Sequence, residues 1–513
     1  MNAIDPTSEA DRPRRTLITI SIMMASIMQV LDTTIANVAL PHIQGSLSAS
    51  QDQIAWVLTS YIVASAIMTP LTGWLAGRVG RKRVLLFSIA GFTIASMFCG
   101  LAQSLPQMVA ARLVQGACGA ALVPMAQAVM LDINPPERHA RAMTIWAMVI
   151  TIGPIVGPAF GGWLTENYNW RWVFYINVPF GILAYLGTLG AMPETEIKRS
   201  QFDFFGFATL SLAVGALQIT LDRGQLKDWF NSPEICIEAA VTAAALYLFI
   251  VHMLTARKTR FLEPALFKDQ NCMAGCIFIF TVGLILYATL ALLPPLLQGL
   301  MNYPVVTTGL VTAPRGFGSL LAMIVIGRLV HRLDLRWVIT VGFAFAAFSS
   351  WQMTRFDLQM DAGMVMWSGI AQGVGSGLVS VPLAGAAFVT LSPALRNEGA
   401  ALYNLCRNLG SSVGISIVET LLTRNTQIVH ASLAEHLTPF SALVRAQMAE
   451  GQGLRGLAAL NAQVTQQAAM VAYDDDFKLM MWLSLAAIPA VLLLRKGAPR
   501  KVDLNADEAV VIE

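Results

Sequence analysis

The sequence predicts an all-α membrane protein with fourteen transmembrane helices, arranged as two six-helix pseudo-repeat bundles plus two inserted helices. Three observations predict this fold: an apolar composition, apolar runs long enough to cross a bilayer, and features that recur at a near-constant spacing. Of the 513 residues, 55% are hydrophobic and 13% are charged, and the mean hydropathy is +0.60. Soluble proteins carry about 25% charged residues, so this composition excludes a soluble enzyme. The net charge of +3 gives no electrostatic indication of a nucleic-acid partner.

Fourteen apolar segments are long enough to span a hydrocarbon core, which needs about 20 residues per helix. They begin near Thr16, Ile54, Val84, Gln107, Ala142, Trp172, Phe204, Pro233, Cys272, Thr307, Trp337, Gly363, Gly399 and Phe477. We expect the first segment to remain as a membrane anchor, because its apolar run from Leu17 to Leu40 is too long for a signal peptide and contains Asp32.

The distribution of Lys and Arg predicts the orientation of these spans. An even number of spans puts both termini on one side of the membrane, and basic loops favour the cytoplasm. With both termini inside, 23 of the 34 Lys and Arg residues fall in the tails and the even-numbered loops, and 8 fall in the opposite loops. We therefore expect both termini to be cytoplasmic.

Two stretches of the chain carry matching features, as duplicated transporter halves do. The glycine and arginine pattern of residues 73–83 recurs 254 positions later, at residues 327–336. Gln115 and Gly157 recur as Gln372 and Gly414, each 257 positions later. The repeat unit is six helices, which leaves spans 7 and 8 as an insert. The predicted divisions are a cytoplasmic N-terminal tail (1–15), an N-terminal bundle (16–192), the insert (193–260), a C-terminal bundle (261–495) with an extracytoplasmic loop at 423–476, and a cytoplasmic C-terminal tail (496–513).

Two glycine-rich motifs are candidates for conformational roles. GWLAGRVGRKR, residues 73–83, joins spans 2 and 3, where glycines allow a tight turn and the arginines either orient the protein or form a latch between halves. GPIVGPAFGG, residues 153–162, places three glycines on one helical face, and its prolines permit a bend. The residues predicted to act in these motifs are Gly73, Arg78, Gly80, Arg81, Gly153, Pro154, Gly157, Pro158 and Gly161.

Charges inside apolar helices are the strongest indication of function, because burying one costs about 2.5 to 3.5 kcal/mol. Asp32 lies in span 1, where desolvation favours the neutral carboxyl and allows it to bind and release a proton. Arg112 in span 4 cannot lose its proton and is a fixed partner for Asp32 or for a substrate. The alternative for both residues is a purely structural hydrogen-bonding role.

Methionines and aromatic side chains in the spans would suit a cavity that accepts several lipophilic compounds. A tentative cavity takes in residues of both halves, although any one of them could instead face lipid, and its arginines could simply bind backbone carbonyls. These residues are Met28, Asn37, Gln115, Trp146, Tyr287, Arg315 and Arg407.

Several motifs together resemble one transporter family. They are LDTTIANVALP (31–41), GWLAGRVGRKR (73–83), ARLVQG (111–116), GPIVGPAFGGWL (153–164) and NWRWVFYINVPFG (169–181). The sequence resembles the fourteen-helix drug:proton antiporters of the major facilitator superfamily, the DHA2 branch of EmrB and QacA type. The resemblance implies export of lipophilic small molecules against protons in a bacterial inner membrane, with no cofactor and with Asp32 and Arg112 in proton coupling. Family members commonly carry an Asp before the first Arg of GWLAGRVGRKR, where this chain has Gly77.

The long predicted loop at residues 423–476 is a candidate docking element. Leu454, Leu457, Leu460 and Val464 keep a helical spacing, so part of it could be an amphipathic helix. Because EmrB-type pumps work with a periplasmic membrane-fusion adaptor and an outer-membrane channel, the resemblance implies the same partners here. The alternative is a disordered insertion.

Other function classes fit less well. No Gly-Lys dipeptide exists, which excludes the phosphate loop of an ATP-driven pump. The six histidines are scattered, so the sequence predicts neither a catalytic centre nor a metal site and disfavours a membrane enzyme. Composition does not separate an exporter from a proton-coupled importer, or a multidrug carrier from one for a specific metabolite.

Overall fold

The computed structural model describes residues 12–54, 56–135, 138–194, 202–256, 261–329, 333–388, 390–392, 395–437 and 453–491. Within these ranges the chain forms helices joined by short turns, without a β-strand. The first helix begins at Arg12, so the last residues of the predicted N-terminal tail are helical. The rest of that tail and the whole predicted C-terminal tail lie outside the described residues.

The helices are numbered here in chain order. Those preceding the predicted insert are α1 (Arg12–Ser46), α2 (Gln51–Ile54), α3 (Trp56–Met68), α4 (Leu71–Val79), α5 (Arg81–Leu101), α6 (Leu105–Gly119), α7 (Leu122–Asp132), α8 (His139–Asn167), α9 (Trp172–Tyr175) and α10 (Asn177–Ala191). The insert and the remainder form α11 (Phe204–Arg223), α12 (Pro233–Thr255), α13 (Pro264–Lys268), α14 (Gln270–Pro295), α15 (Val305–Thr312), α16 (Pro314–Leu329), α17 (Leu335–Met353), α18 (Ala362–Phe388), α19 (Arg396–Glu435) and α20 (Gly453–Ala490).

Aspartates fix the beginnings of three long helices. Asp203, Asp269 and Asp334 stand just before α11, α14 and α17, and each side chain accepts a hydrogen bond from a backbone N–H of the first turn. Such N-caps satisfy backbone donors that have no partner within the helix. These caps fix the first residues of three apolar helices that contain few polar residues.

Nine helices of the described chain are long and apolar enough to cross a membrane, and α3 with α4, bent by 55°, would make a tenth. Four further long helices, α8, α17, α19 and α20, occupy the remaining predicted positions. The protein is therefore an all-helical, multi-pass membrane protein. Length and apolarity account for nine or ten of the fourteen predicted spans, and a shorter apolar helix, Arg141–Gly153, lies within α8.

The packing of helices repeats between the two parts of the chain. In the first part, α1 packs on α8 and α10, while α3 and α5 pack on α6. In the second part, α14 packs on α19 and α20, while α16 and α17 pack on α18. We call these parts the first half (α1–α10) and the second half (α13–α20). Helices α11 and α12 pack on each other, and α11 also contacts α3 and α19.

The segment predicted as a long extracytoplasmic loop, residues 423–476, is helical over most of its described part. Helix α19 continues to Glu435, and α20 is already helical from Gly453, so only residues 438–452 fall outside the described chain in this stretch. Alanine, glutamine and leucine are abundant here and are strong helix formers, which explains why both helices extend past the apolar segments. The helix expected from the leucine spacing is part of α20.

Candidate functional site

The candidate site is a buried ion pair between α1 and α6. The side chains of Asp32 and Arg112 are 0% and 1% exposed, and Nη1 of Arg112 lies 2.6 Å from Oδ2 of Asp32. Nε of Arg112 donates to the carbonyl of Val57 at 3.0 Å, and its Cζ lies 4.3 Å from the centroid of the Tyr61 ring. These contacts fix the guanidinium, and the structure thus brings together the two residues predicted to couple protons.

Two side-chain amides complete the surroundings of the Asp32 carboxylate. Nε2 of Gln115 and Nδ2 of Asn177 each donate to Oδ1 at 2.8 Å. Asn177 also donates to Oγ of Ser96 at 3.0 Å, which holds the amide in place. The carboxylate therefore accepts hydrogen bonds from three side chains on two helices, two from α6 and one from α10, and these donors stabilise its charged form.

This arrangement can bind and release a proton if the helices move. A buried carboxylate is stable as an anion only while its counter-charge and hydrogen-bond donors stay in place. Separation of α6 or α10 from α1 would remove them, and burial would then favour the protonated carboxyl. The geometry therefore allows the charge of Asp32 to depend on the positions of α6 and α10 relative to α1.

The glycine face of α8 holds the helix that carries Asp32. A Cβ added at Gly153 would lie 2.5 Å from Cγ1 of Val30, and one added at Gly157 would collide with Thr34. Gly161, one turn further along, faces α1 in the same way. The glycines therefore permit close contact with α1 on both sides of the aspartate.

The two prolines of this motif lie within α8, which runs without a break in the helix assignment from His139 to Asn167. Other residues of α8 contact α15, α16 and α18 in the second half. Helix α8 therefore contacts α1, which carries Asp32, through its glycines, and it also contacts three helices of the second half. The bend predicted at Pro154 and Pro158 remains a prediction.

At one end of the bundle, which we call the basic end, α4 turns into α5 through Gly80. Its φ of 95° is a conformation that L side chains rarely adopt, so glycine is required at this turn. Arg78 of the last turn of α4 lies with its Cζ 5.5 Å from the ring centroid of Trp74. The contact gives Arg78 a neighbour within its own helix.

An acidic residue at the basic end contacts arginines of both halves. Asp132, at the end of α7, forms an ion pair with Arg81 of α5 and lies 3.5 Å from Nη1 of Arg396 at the start of α19. These side chains are 19 to 25% exposed, so their interactions are only partly screened by solvent. In the described chain the contact between the halves at this end joins Asp132 to Arg396, whereas Arg81 pairs with Asp132 within the first half.

Close helix packing accompanies these ion pairs. A Cβ added at Gly73 of α4 would lie 3.1 Å from Cγ of Glu398 in α19, so glycine is what allows these two helices to approach. Deeper in the interface, Nδ2 of Asn404 donates to Oε1 of Gln127 at 3.0 Å, and both side chains are buried. The halves therefore meet through α4, α7 and α19 at the basic end.

Comparison with protein-family models decides the family. The model described as Major Facilitator Superfamily matches residues 22–415, which extends from α1 into α19. The chain belongs to the Major Facilitator Superfamily.

Relatives within the superfamily cover nearly the whole chain. Multidrug export protein EmrB of Escherichia coli strain K12 is 37% identical over 486 residues, which is 93% of this chain and 94% of that protein. Fatty acid resistance protein FarB of Neisseria gonorrhoeae is 37% identical over 488 residues, 93% and 96% of the two chains. The crystal structure of the human organic anion transporter MFSD10 aligns with a TM-score of 0.59 at 13% identity, over 92% of this chain and 99% of that one, which supports the fold alone.

The residues predicted to line a substrate cavity lie in different surroundings. Met28, Trp146 and Arg315 are buried, Gln115 belongs to the Asp32 site, Tyr287 and Arg407 are half-buried, and Asn37 is exposed. A pocket in the second half, with Val282, Phe343 and Gln372 in its wall, includes none of the seven. Composition indicates which residue types suit a cavity, but not how each helix is rotated.

Several residues that make polar contacts in this structure were not predicted from the sequence. Asn177 and Ser96 were hidden because single amides and hydroxyls are common in apolar helices, although Asn177 lies within one of the recognised motifs. Asp132 and Arg396 lie at helix ends, where a charge in the sequence gives little indication of its partner. Among the described residues, no group of three His, Cys, Asp or Glu side chains could hold a metal ion.

Proposed function

We propose that this protein is a proton-coupled secondary transporter that exports lipophilic compounds by alternating access. The observation that carries the proposal is the buried contact of Asp32 with Arg112. Ionisable groups inside the membrane are costly, and they mark proton relays and substrate pathways in transporters. The pair then has two stable states. In one, Asp32 is charged and in contact with Arg112, and in the other, Asp32 is neutral and apart from Arg112.

A cycle follows from these two states. A proton from the outer side neutralises Asp32, which weakens its attraction to Arg112 and lets α6 move against α1. Return of Arg112 favours the carboxylate again and expels the proton to the cytoplasm. Export requires that the substrate moves outward in the opposite step, while the contacts of Asp132 with Arg81 and Arg396 close the cytoplasmic side.

The names of the relatives support the breadth of the substrates. The Escherichia coli protein is called a multidrug export protein, and the Neisseria gonorrhoeae protein a fatty acid resistance protein. At 37% identity over nearly the whole chain, we extend to this protein the export of several lipophilic compounds. Its tentative cavity residues Met28, Trp146 and Tyr287 are apolar or aromatic, as such substrates require.

Transport by purified protein in lipid vesicles tests the proposal. A suitable panel shares one ring system and differs in charge: naphthamide, naphthylmethylammonium and naphthoate. We expect a pH gradient to drive at least one member against its concentration gradient, and an ionophore that dissipates the gradient to stop it. Movement of every member only down its own gradient would reject proton coupling.

We further propose fourteen spans in a bacterial inner membrane, with both termini cytoplasmic. Residue 48 lies between spans 1 and 2 and then faces outward. Residue 82 lies between spans 2 and 3 and then faces inward. We expect a membrane-impermeant thiol reagent to label Ser48→Cys but not Lys82→Cys in intact cells. The parent protein carries Cys236→Ser, because that native cysteine is exposed. Labelling at position 82 in sealed cells would contradict this topology.

The ends of α19 and α20 extend past the predicted spans, and we propose that they dock a periplasmic adaptor of an export path with an outer-membrane channel. The two helices pack together, and His430 contacts Asn461 between them at 3.1 Å. Ile428, Leu433 and Leu457 are 37 to 57% exposed on this extension. Apolar side chains that project from a helical pair into water suit a partner helix.

Replacement of these three apolar residues by serine separates docking from transport. We expect pH-driven transport in vesicles to stay within about twofold of the parent, because only the carrier acts there. In cells, resistance to an exported compound and cross-linking to the adaptor should both be lost. The matched control replaces the exposed polar residues Gln427 and Glu435 by serine. Full resistance in the apolar variant would show that the extension does not dock the adaptor.

A further inference from the structure

The two halves contain the same polar contact between equivalent helices. Gln115 of α6 donates to Asp32 of α1 at 2.8 Å, and Gln372 of α18 donates to Oγ1 of Thr289 of α14 at 2.9 Å. Gln372 follows Gln115 by 257 positions, and Thr289 follows Asp32 by the same 257. The second half therefore has a counterpart of the Asp32 site in which a neutral hydroxyl stands in place of the carboxylate.

An arginine is present in this counterpart, but it comes from a different helix. The position 257 residues after Arg112 is Gly369, which has no side chain to offer. Arg315 of α16 lies beside it, since a Cβ added at Gly369 would be 3.5 Å from Cβ of Arg315. The guanidinium that α6 supplies in the first half is thus supplied by α16 in the second.

Backbone packing confirms which residues correspond. A Cβ added at Gly116 of α6 would collide with the carbonyl of Tyr61, and one added at Gly373 of α18 would collide with the carbonyl of Arg315. Gly373 follows Gly116 by 257 positions, and Arg315 follows Tyr61 by 254, the offset of the basic motifs of spans 2 and 10. Arg315 is therefore the residue of the second half that corresponds to Tyr61, the residue whose ring Arg112 contacts in the first half.

Arg315 is a buried cation without a carboxylate beside it in the described chain. Its residue exposure is 8%, and Nη2 donates to the carbonyl of Leu286 at 3.2 Å. Nη1 is buried without a hydrogen-bond partner among the described residues, and so are Oε1 of Gln372 and Oγ of Ser319 one turn along α16. Because arginine stays charged, a guanidinium in this position requires an anion.

An apolar pocket adjoins the unpaired guanidinium. Its wall includes Val282, Ile285 and Phe343, together with Gln372. Leu286, whose carbonyl accepts the hydrogen bond from Arg315, also lines it. A cation beside an apolar pocket matches a ligand with an apolar body and one negative group.

We propose that Arg315, with Gln372 and the adjoining pocket, binds the carboxylate of a lipophilic acid. The ligand carboxylate takes the place that Asp32 occupies in the first half. The inference rests on the proposed export function and adds a substrate class to it, the lipophilic carboxylates. Arg315 binds the substrate, whereas Asp32 with Arg112 binds the proton.

Binding to the purified full-length protein in lipid nanodiscs tests the inference with the naphthyl panel. We expect naphthoate to bind at least tenfold more tightly than naphthamide or naphthylmethylammonium. Arg315→Gln should weaken naphthoate binding about tenfold to a hundredfold, as loss of a charge-assisted hydrogen bond does, and leave naphthamide within about twofold. Arg328→Gln, at an exposed arginine in the last turn of the same helix, should change neither. Equal binding of naphthoate and naphthamide, or unchanged naphthoate binding in Arg315→Gln, would overturn the inference.

A second variant keeps Arg315 and gives it a counter-charge within the protein, so that the arginine no longer requires the carboxylate of a ligand. Thr289→Asp supplies an internal carboxylate, so we expect it to weaken naphthoate binding as Arg315→Gln does and to raise the melting temperature. Thr289→Asn should leave binding unchanged. Tight naphthoate binding in Thr289→Asp would overturn the inference. Its failure is distinct from failure of the proposed function, since the panel could be pumped by a pH gradient without any preference for the anion.

Discussion

Asp32→Asn is expected to abolish pH-driven efflux of the naphthyl panel from lipid vesicles, by at least a hundredfold, while the protein remains folded and inserted. Asparagine keeps the size of the side chain, and its amide oxygen can still accept hydrogen bonds from Gln115 and Asn177. Its amide nitrogen cannot accept from Arg112, and it cannot exchange a proton. The buried arginine loses its counter-charge, so a modest loss of thermal stability is expected as well. Transport is measured with the gradient imposed and with it dissipated.

Two comparisons distinguish loss of coupling from loss of structure. Asp32→Asn should still exchange substrate down its own gradient, which a misfolded protein cannot do. Arg112→Ala removes the counter-charge and leaves the carboxyl of Asp32 in place, so it should weaken the dependence of efflux on the pH gradient without removing the proposed proton site. Retained gradient-driven transport in Asp32→Asn would place the proton site elsewhere.

Asp132→Asn is expected to loosen the basic end of the transporter. It weakens the ion pairs with Arg81 and Arg396 together, so α19 loses its electrostatic tie to α5 and α7. Partly exposed pairs of this kind contribute about 1 to 2 kcal/mol in total, which corresponds to roughly a tenfold change in the population of the closed end. Hydrogen–deuterium exchange should rise by about that factor in α4 and the first turns of α19.

Matched variants identify the contact responsible. Arg396→Gln removes only the contact between the halves and should reproduce most of the effect. Asp203→Asn is the control, because Asp203 pairs with His252 within the inserted helices at 2.8 Å and does not join the halves. Unchanged exchange in Asp132→Asn would show that glycine-mediated packing, such as that of Gly73 on Glu398, closes this end by itself.

The helices and the repeat could be predicted because they depend on local and periodic signals. Apolar runs of about 20 residues mark helices whatever their neighbours, and a constant offset needs only the sequence. The extension of α19 was not predicted, and that of α20 was predicted only from its leucine spacing, because a polar helix carries no hydropathy signal. The count of fourteen stays a prediction, because it depends on four further long helices, α8, α17, α19 and α20.

The centre of the candidate site could also be predicted, but its surroundings could not. Asp32 and Arg112 stand out because a charge in an apolar helix is expensive. Asn177, on α10, approaches Asp32 only through the packing of α10 on α1, which is a tertiary fact. The relation between Arg315 and Arg112 was hidden for the same reason, since the two arginines reach equivalent places from helices that are not equivalent.

Proton release on substrate binding is the most direct test of proton coupling through Asp32. Purified protein in weakly buffered solution, with a pH-sensitive dye, is mixed with each member of the naphthyl panel, and released protons are counted per bound ligand. The expected result is release by the parent protein on binding of at least one member, and no release by Asp32→Asn with the same ligand bound. Binding without proton release in the parent protein, or equal release in Asp32→Asn, would contradict it.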